Sequence, residues 1–228
     1  MRIVHKDPKL LQLVNDMNFK AAIFDMNGTI LSDEDEYGLA FRKVLEGLRV
    51  KVSTSYPHEA GIGVEANWSI FLTKYKIKTT KTTQELAAET QKEYTKLIPK
   101  VTLKEGFLDY VVKLKNDKII IGLATSNTWS IVEKIFNKFN IEKYFQVVTT
   151  CEELARNKPD PEIFIKTAEK LQVKQEECVV FEDSVAGIKG AKLAGMKTVG
   201  MARDEVYKKK LKEADIIINN YLEAEEII

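Results

Sequence analysis

Six short apolar runs punctuate the chain, at 21–24, 119–125, 146–148, 178–181, 197–200 and 216–218. Longer segments of helical period separate them, the pattern of a parallel sheet buried on both faces with helices packed against it. After Gly106 the alternation is regular, and helices are predicted over 129–139, 161–171 and 184–194. Asp160, Pro161 and Glu162 mark the start of the second, where Asp caps free amides and Pro suits the first turn. Gly195 marks the end of the third.

Residues 32–104 break this rhythm. They hold no convincing buried strand and read as three helices, over 34–48, 68–76 and 83–97. The expected architecture is a Rossmann-like, doubly wound parallel α/β sheet built from 1–31 and 105–228, with a small all-helical cap domain, 32–104, inserted after the first strand. A ligand is expected in the cleft between the two. One further short helix is predicted from Asp7-Pro8 to about residue 17, ahead of the first strand.

Charge narrows the range of partners. Of 228 residues, 35 are Lys or Arg and 34 are Asp or Glu, a net charge of +1. Such a balance projects no long-range field toward nucleic acid or an anionic membrane, so a small, locally bound ligand is expected. Two cysteines, Cys151 and Cys178, and two histidines, without CxxC spacing, argue against a disulfide framework or a zinc site. No apolar run reaches the length of a membrane span, and charges fill the first residues where a signal peptide would be apolar. A soluble cytoplasmic protein, monomeric or weakly dimeric, is the expectation.

The first strand runs into Asp25-Met26-Asn27-Gly28-Thr29, which sets a carboxylate, an amide and a turn glycine at the carboxyl edge of the sheet, the ligand edge of α/β folds. That segment alone also fits a turn in which Asp25 and Asn27 only satisfy backbone amides. The second sheet strand ends in Thr125-Ser126-Asn127, donors suited to an anion. Lys158 precedes a helix start, where an ammonium can neutralise phosphate. Glu182-Asp183 ends another strand, and hard oxygen ligands of this kind suit Mg²⁺.

An aspartate, a hydroxyl, a lysine and an acidic pair, each at the end of a different segment and in that order, resemble the motif series of the haloacid dehalogenase superfamily of phosphohydrolases. The run from Val180 to Met196 is similar to the branch containing β-phosphoglucomutase and phosphoglycolate phosphatase, and a helical cap after the first motif is that branch's architecture. The resemblance implies that Asp25 is the nucleophile and forms an aspartyl phosphate that water hydrolyses. It implies a Mg²⁺ cofactor held by Asp25, the backbone carbonyl of Asn27, Asp183 and, directly or through water, Glu182. Thr125 and the Ser126 amide, beside Asn127, would hold phosphoryl oxygens, and Lys158 would counter the charge of Asp25 and phosphate.

Asn27 departs from the pattern, which has a second aspartate there to protonate the leaving group and activate water. An amide cannot do this, so a loss of about 10²- to 10⁴-fold is expected. An introduced substitution, a natural hydrolase whose substrates leave easily, and a silent phospho-ligand-binding protein all remain compatible with the sequence. A phosphosugar mutase, which shuttles a proton at this position in both half-reactions, fits Asn27 poorly. Halide release fits worse, because halide-releasing relatives do not use an acidic pair such as Glu182-Asp183. The expected activity is a Mg²⁺-dependent phosphatase of a small phosphorylated metabolite, a sugar or polyol phosphate.

Substrate choice is expected from the cap loop 59–68, with Glu65 and Asn67 as candidate substrate readers. Trp68, Phe71 and Tyr75 share a helical spacing that reads as the core of the cap. Lys208, Lys209, Lys210 and Lys212, interleaved with Glu205 and Glu213, read as a solvated helix face.

Overall fold

The computed structural model describes residues 19–224. The helix expected at 8–17 lies outside the described residues. Six parallel strands form one sheet in the order β5-β4-β1-β6-β7-β8. They are β1 (Ala21–Phe24), β4 (Ile120–Ala124), β5 (Val147–Thr149), β6 (Cys178–Glu182), β7 (Lys197–Met201) and β8 (Ile216–Ile218). Counted along the chain, the order is third, second, first, fourth, fifth, sixth, the doubly wound Rossmann arrangement.

The strands are apolar because both their faces are covered. On β1, Phe24 packs on one side in an aromatic cluster, stacked on Phe181 at 4.7 Å and meeting Phe107 edge-on at 5.8 Å. Ile23 points the other way into a second core with Val180, Ile163 and Phe164. Truncating a ring as enclosed as Phe24 would cost about 3–5 kcal/mol. Helices α4 (Phe107–Asn116), α5 (Trp129–Phe139), α6 (Glu162–Leu171), α7 (Val185–Leu193) and α8 (Glu205–Lys210) accompany the sheet. Helix α4 was not anticipated, although Phe107, Tyr110, Val111 and Leu114 bury one helical stripe. Lys208 to Lys210 lie exposed on α8, a wet face as expected; Lys212 and Glu213 follow that helix.

The cap consists of α1 (Glu34–Gly47), α2 (Val64–Lys74) and α3 (Thr83–Leu97). A reciprocal capping box between Thr82 and Glu85 starts α3. Trp68 is fully buried against Phe71 and Phe41, and its indole N–H donates to Thr90 Oγ1 at 2.9 Å, which satisfies its single polar atom. Helix α2 begins a turn earlier than its apolar period suggests, because the Asn67 amide ties its first turn to the preceding loop. A two-stranded antiparallel ribbon, β2 (Leu31–Ser32) with β3 (Thr102–Leu103), joins cap to sheet. No strand was expected there, since two residues show no measurable period.

Candidate active site

Strand register assembles the site. Phe24 lies level with Leu123 on one side and Phe181 on the other, so the next residues, Asp25, Ala124 and Glu182, arrive together at the carboxyl edge. The Asp25 amide continues the ladder by donating to the Phe181 carbonyl at 3.0 Å. The order reverses between β1 and β6, so this is the crevice where doubly wound sheets bind ligands.

Lys158 reaches the crevice from the segment before α6. Its buried Nζ donates to Asp25 Oδ1 at 2.7 Å, Glu182 Oε2 at 2.8 Å and the Ala124 carbonyl at 3.2 Å. Burial alone would lower the Lys158 pKa, but Asp25 and Glu182 outweigh it and hold the ammonium above its ordinary range. Burial, then the charge of Glu182, raises Asp25 to about 7, with Lys158 opposing. Asp183 is raised well above the carboxylate range by burial and by the charges of Glu182 and Asp25.

The donor set fits Mg²⁺. Oxygens of Asp25, Glu182 and Asp183 lie within 4.8 Å of one another, all three residues are buried, and among the described residues Lys158 is the single cation hydrogen-bonded to the cluster, through Asp25 and Glu182. Three carboxylates against one ammonium lack positive charge, and hard oxygens are what this ion takes. Both Glu182 oxygens are already engaged: Oε2 accepts from Lys158, and Oε1 accepts from the Ser184 amide and hydroxyl at 3.1 and 2.7 Å. Asp25 and Asp183 are therefore the freer ligands. Gly28 permits the approach of Asp183: it sits at φ +70°, and a Cβ there would run into the Asp183 carboxylate.

On the opposite strand edge, Thr125 Oγ1 accepts from the Asn127 backbone N–H at 3.2 Å and from its side-chain amide at 3.0 Å, which leaves the Thr125 hydroxyl proton to donate. The Ser126 hydroxyl is committed to the Gly61 carbonyl of the cap loop at 2.8 Å. Gly61, at φ +82°, allows this docking, since a Cβ would strike Ser184. Asn127, expected to bind substrate, instead spends its side chain inside the protein: Oδ1 accepts from Tyr37 at 2.5 Å, and Nδ2 donates to Asn27 Oδ1 and Thr125.

Asn27 is held on both sides. Its amide nitrogen donates to Asp33 Oδ2 and lies 3.3 Å from the Tyr94 hydroxyl, which also donates to Asp33. Asp33 Oδ1 accepts from Gly28 N–H at 3.1 Å. Burial raises the Asp33 pKa to about 6 against these stabilising bonds. Sequence reasoning missed Asp33, Tyr37 and Tyr94. Asp33 opens an acidic run that looks solvated, and only folding brings α1 and α3 down onto it.

The two cap readers move as well. Asn67 borders the cavity, but its Oδ1 accepts from the Glu59 amide at 2.7 Å and its Nδ2 donates to the Glu59 and Gly63 carbonyls at 2.9 Å, so it braces the loop. Glu65 faces away, accepting from the Thr83 hydroxyl at 2.9 Å, and is absent from the cavity wall. The cap side chains that line it include Glu34, Tyr37, Phe41, His58, Glu59 and Val64.

A carboxylate cluster with a buried ammonium sits at the switch point of a Rossmann-like sheet, roofed by helices: a capped, doubly wound α/β domain with an acidic site at its ligand edge. Residues 22–201 match the family model described as haloacid dehalogenase-like hydrolase, and the chain belongs to that family. It is 33% identical over 196 residues to the β-phosphoglucomutase of Bacillus subtilis, covering 82% of this chain and 84% of that one. To the phosphorylated carbohydrates phosphatase of Thermotoga maritima it is 30% identical over 182 residues, covering 79% and 83%. The crystal structure of β-phosphoglucomutase from Clostridium difficile superposes with a TM-score of 0.79 at 24% identity, over 91% of this chain and 97% of that one.

Proposed function

We propose that the chain is a Mg²⁺-dependent phosphatase of small phosphorylated metabolites, sugar or polyol phosphates, that works through an aspartyl phosphate on Asp25. The observation that carries this reading is the buried Asp25–Lys158–Glu182 chain beside Asp183, under a cap that closes over it. Relatives named as phosphatases of phosphorylated carbohydrates support the substrate class.

Asp25 attacks phosphorus, the P–O bond to the substrate breaks, and the leaving oxygen takes up a proton; water then cleaves the acyl phosphate, returning the Asp25 carboxylate and inorganic phosphate. Lys158 fixes the nucleophile's orientation and offsets the incoming phosphate charge, while Glu182 locks Lys158 in place. The Thr125 hydroxyl and the Ser126 amide hold phosphoryl oxygens. Mg²⁺, held by Asp25, Asp183 and the Asn27 backbone carbonyl, would supply charge neutralisation between two anions. Residues 32–104 act as the cap domain that excludes bulk water. Asn27 has no proton to give the leaving oxygen, so turnover is weakened by about 10²- to 10⁴-fold. The two free thiols suit a reducing cytoplasm.

The test is phosphate release from sorbitol phosphate with and without Mg²⁺, in the parent, Asp25→Asn and Lys158→Ala. Release that needs Mg²⁺ and disappears in both variants supports the reading. Equal rates in all three proteins would sink it.

A further inference from the structure

The cavity above Asp25 has an asymmetric chemistry. Five of its lining residues are carboxylates, Asp25, Asp33, Glu34, Glu59 and Asp183, and among the described residues no lysine or arginine lines it. The phosphate being cleaved meets Lys158 at the base of the site, beneath Asp25. At the far wall, formed by the cap, the one basic side chain is His58. Its ring lies on Phe41 at 4.9 Å and 21°, and its Nδ1 is buried with no hydrogen-bond partner among the described residues. Burial, with the charge of Arg203 adding to it, pushes the imidazole down to about 4, so it is uncharged at neutral pH.

Nearby cations are committed outside this cavity. Lys104 pairs with Glu34 at 3.3 Å, and the Arg203 guanidinium lies between the Tyr56 and Tyr207 rings at 4.0 and 3.6 Å. Both border a separate, wider cavity. Glu34 is thus offset by Lys104 and Asp25 by Lys158, but an acidic group at the remote end of a bound substrate would meet Asp33 and Glu59 with no lysine or arginine among the described residues on the cavity wall to pair with, and such a group is costly to desolvate.

We infer that the substrate is a phosphate monoester whose end remote from phosphorus carries no acid, an uncharged polyol or an amine, read by His58 and Glu59 against the Phe41 ring. The inference rests on the phosphatase reading and narrows it. A mutase cycle places a second phosphoryl group on a substrate that already bears one, so the same wall disfavours it. The neutral imidazole of His58, on the cavity wall, has one ring nitrogen able to accept from a hydroxyl or an ammonium, and the Glu59 carboxylate does the same. A site built to hydrogen-bond such groups discriminates against analogues that leave it unpaired.

The experiment compares four six-carbon phosphates esterified at the same terminal carbon: sorbitol phosphate, glucosamine phosphate, phosphogluconate and glucose bisphosphate. With Mg²⁺ present, kcat/KM for the first two is expected to exceed that for the last two by about tenfold or more. Glu59→Lys should narrow that ratio by about tenfold, and His58→Phe should raise KM for sorbitol phosphate more than it lowers kcat. A parent that prefers phosphogluconate or the bisphosphate, or a ratio unmoved by Glu59→Lys, overturns the inference. para-Nitrophenyl phosphate, which lacks a remote polar end, reports on the chemistry alone. If neither it nor any of the four compounds is hydrolysed, the phosphatase reading fails; calorimetric affinities for the same four compounds with Mg²⁺ then decide the inference, the same tenfold order supporting it and an equal or reversed order refuting it.

Discussion

Replacing Asn27 with aspartate probes the step where this chain departs from its relatives' pattern. The Asn27 amide nitrogen donates to Asp33 Oδ2, so in Asn27→Asp a carboxylate oxygen would face another carboxylate at hydrogen-bond distance. At about 3 Å and an effective dielectric near 20, two full charges repel by about 5 kcal/mol, equivalent to about four pKa units. The pair relieves this by keeping one proton between its two carboxyls, and Asp33 starts from about 6, so the shared proton persists through neutral pH. It resides beside the leaving oxygen, where the parent's amide has none to give. Turnover of sorbitol phosphate should rise by about 10²- to 10⁴-fold, with a smaller gain for para-nitrophenyl phosphate, whose leaving group departs unprotonated. The assay is Mg²⁺-dependent phosphate release from about pH 5 to 9, where the variant should lose rate on the alkaline side as the shared proton dissociates. A parent within about threefold of the variant on both substrates would refute the reasoning at residue 27. Proton transfer would then come from another group, and Asp33 is the carboxyl in contact.

Asp33 also sets a pH dependence of stability. Its carboxyl is raised from 3.8 to about 6, so the unfolded chain loses its proton first and stability falls as pH rises between those values, by about 3 kcal/mol in total. Urea titrations in EDTA from about pH 4 to 7 should show stability falling in the parent, with the raised Asp25 and Asp183 adding to the slope, and a flatter fall in Asp33→Asn. Mg²⁺ should raise the melting temperature of the parent, because it offsets the charge of three clustered carboxylates, and Asp183→Asn should lose most of that increase in a thermal-shift titration. Lys158→Met strands two buried carboxylates and should cost about 3–5 kcal/mol in denaturant unfolding, in addition to abolishing phosphate release.

The sheet was legible because its strands are buried on both faces, which forces continuous apolar runs with no polar alternation to obscure them. The same burial explains why Asp25, Glu182 and Asp183 stood out: polar residues at the ends of such runs need a reason to be there, whereas Lys158 was marked by its place just before a helix start. Helix α4 went unread despite a clean stripe at Phe107, Tyr110, Val111 and Leu114, so its signal was present. The β2–β3 ribbon left no signal, two residues being too few for any period.

The cap shows where local reading stops. Glu65 and Asn67 lie in the right loop, yet the loop's own backbone takes up Asn67, and Glu65 turns to Thr83 on α3. Which side chain of a loop meets the ligand depends on how the loop's amides are satisfied, a choice made by packing. His58, Asp33, Tyr37 and Tyr94 are unremarkable in sequence, and Tyr94 joins Asp33 across 61 positions only because α3 folds back over the crevice. The chain alone determined the sheet and the order of its chemistry-bearing ends, since these follow from burial and local spacing, and its resemblance to a known family exposed the departure at Asn27. The wall remote from the phosphate and the buried bonds that hold Asn27 were decided by the docking of helices distant in sequence, where desolvation and hydrogen-bond satisfaction assign each polar group its partner.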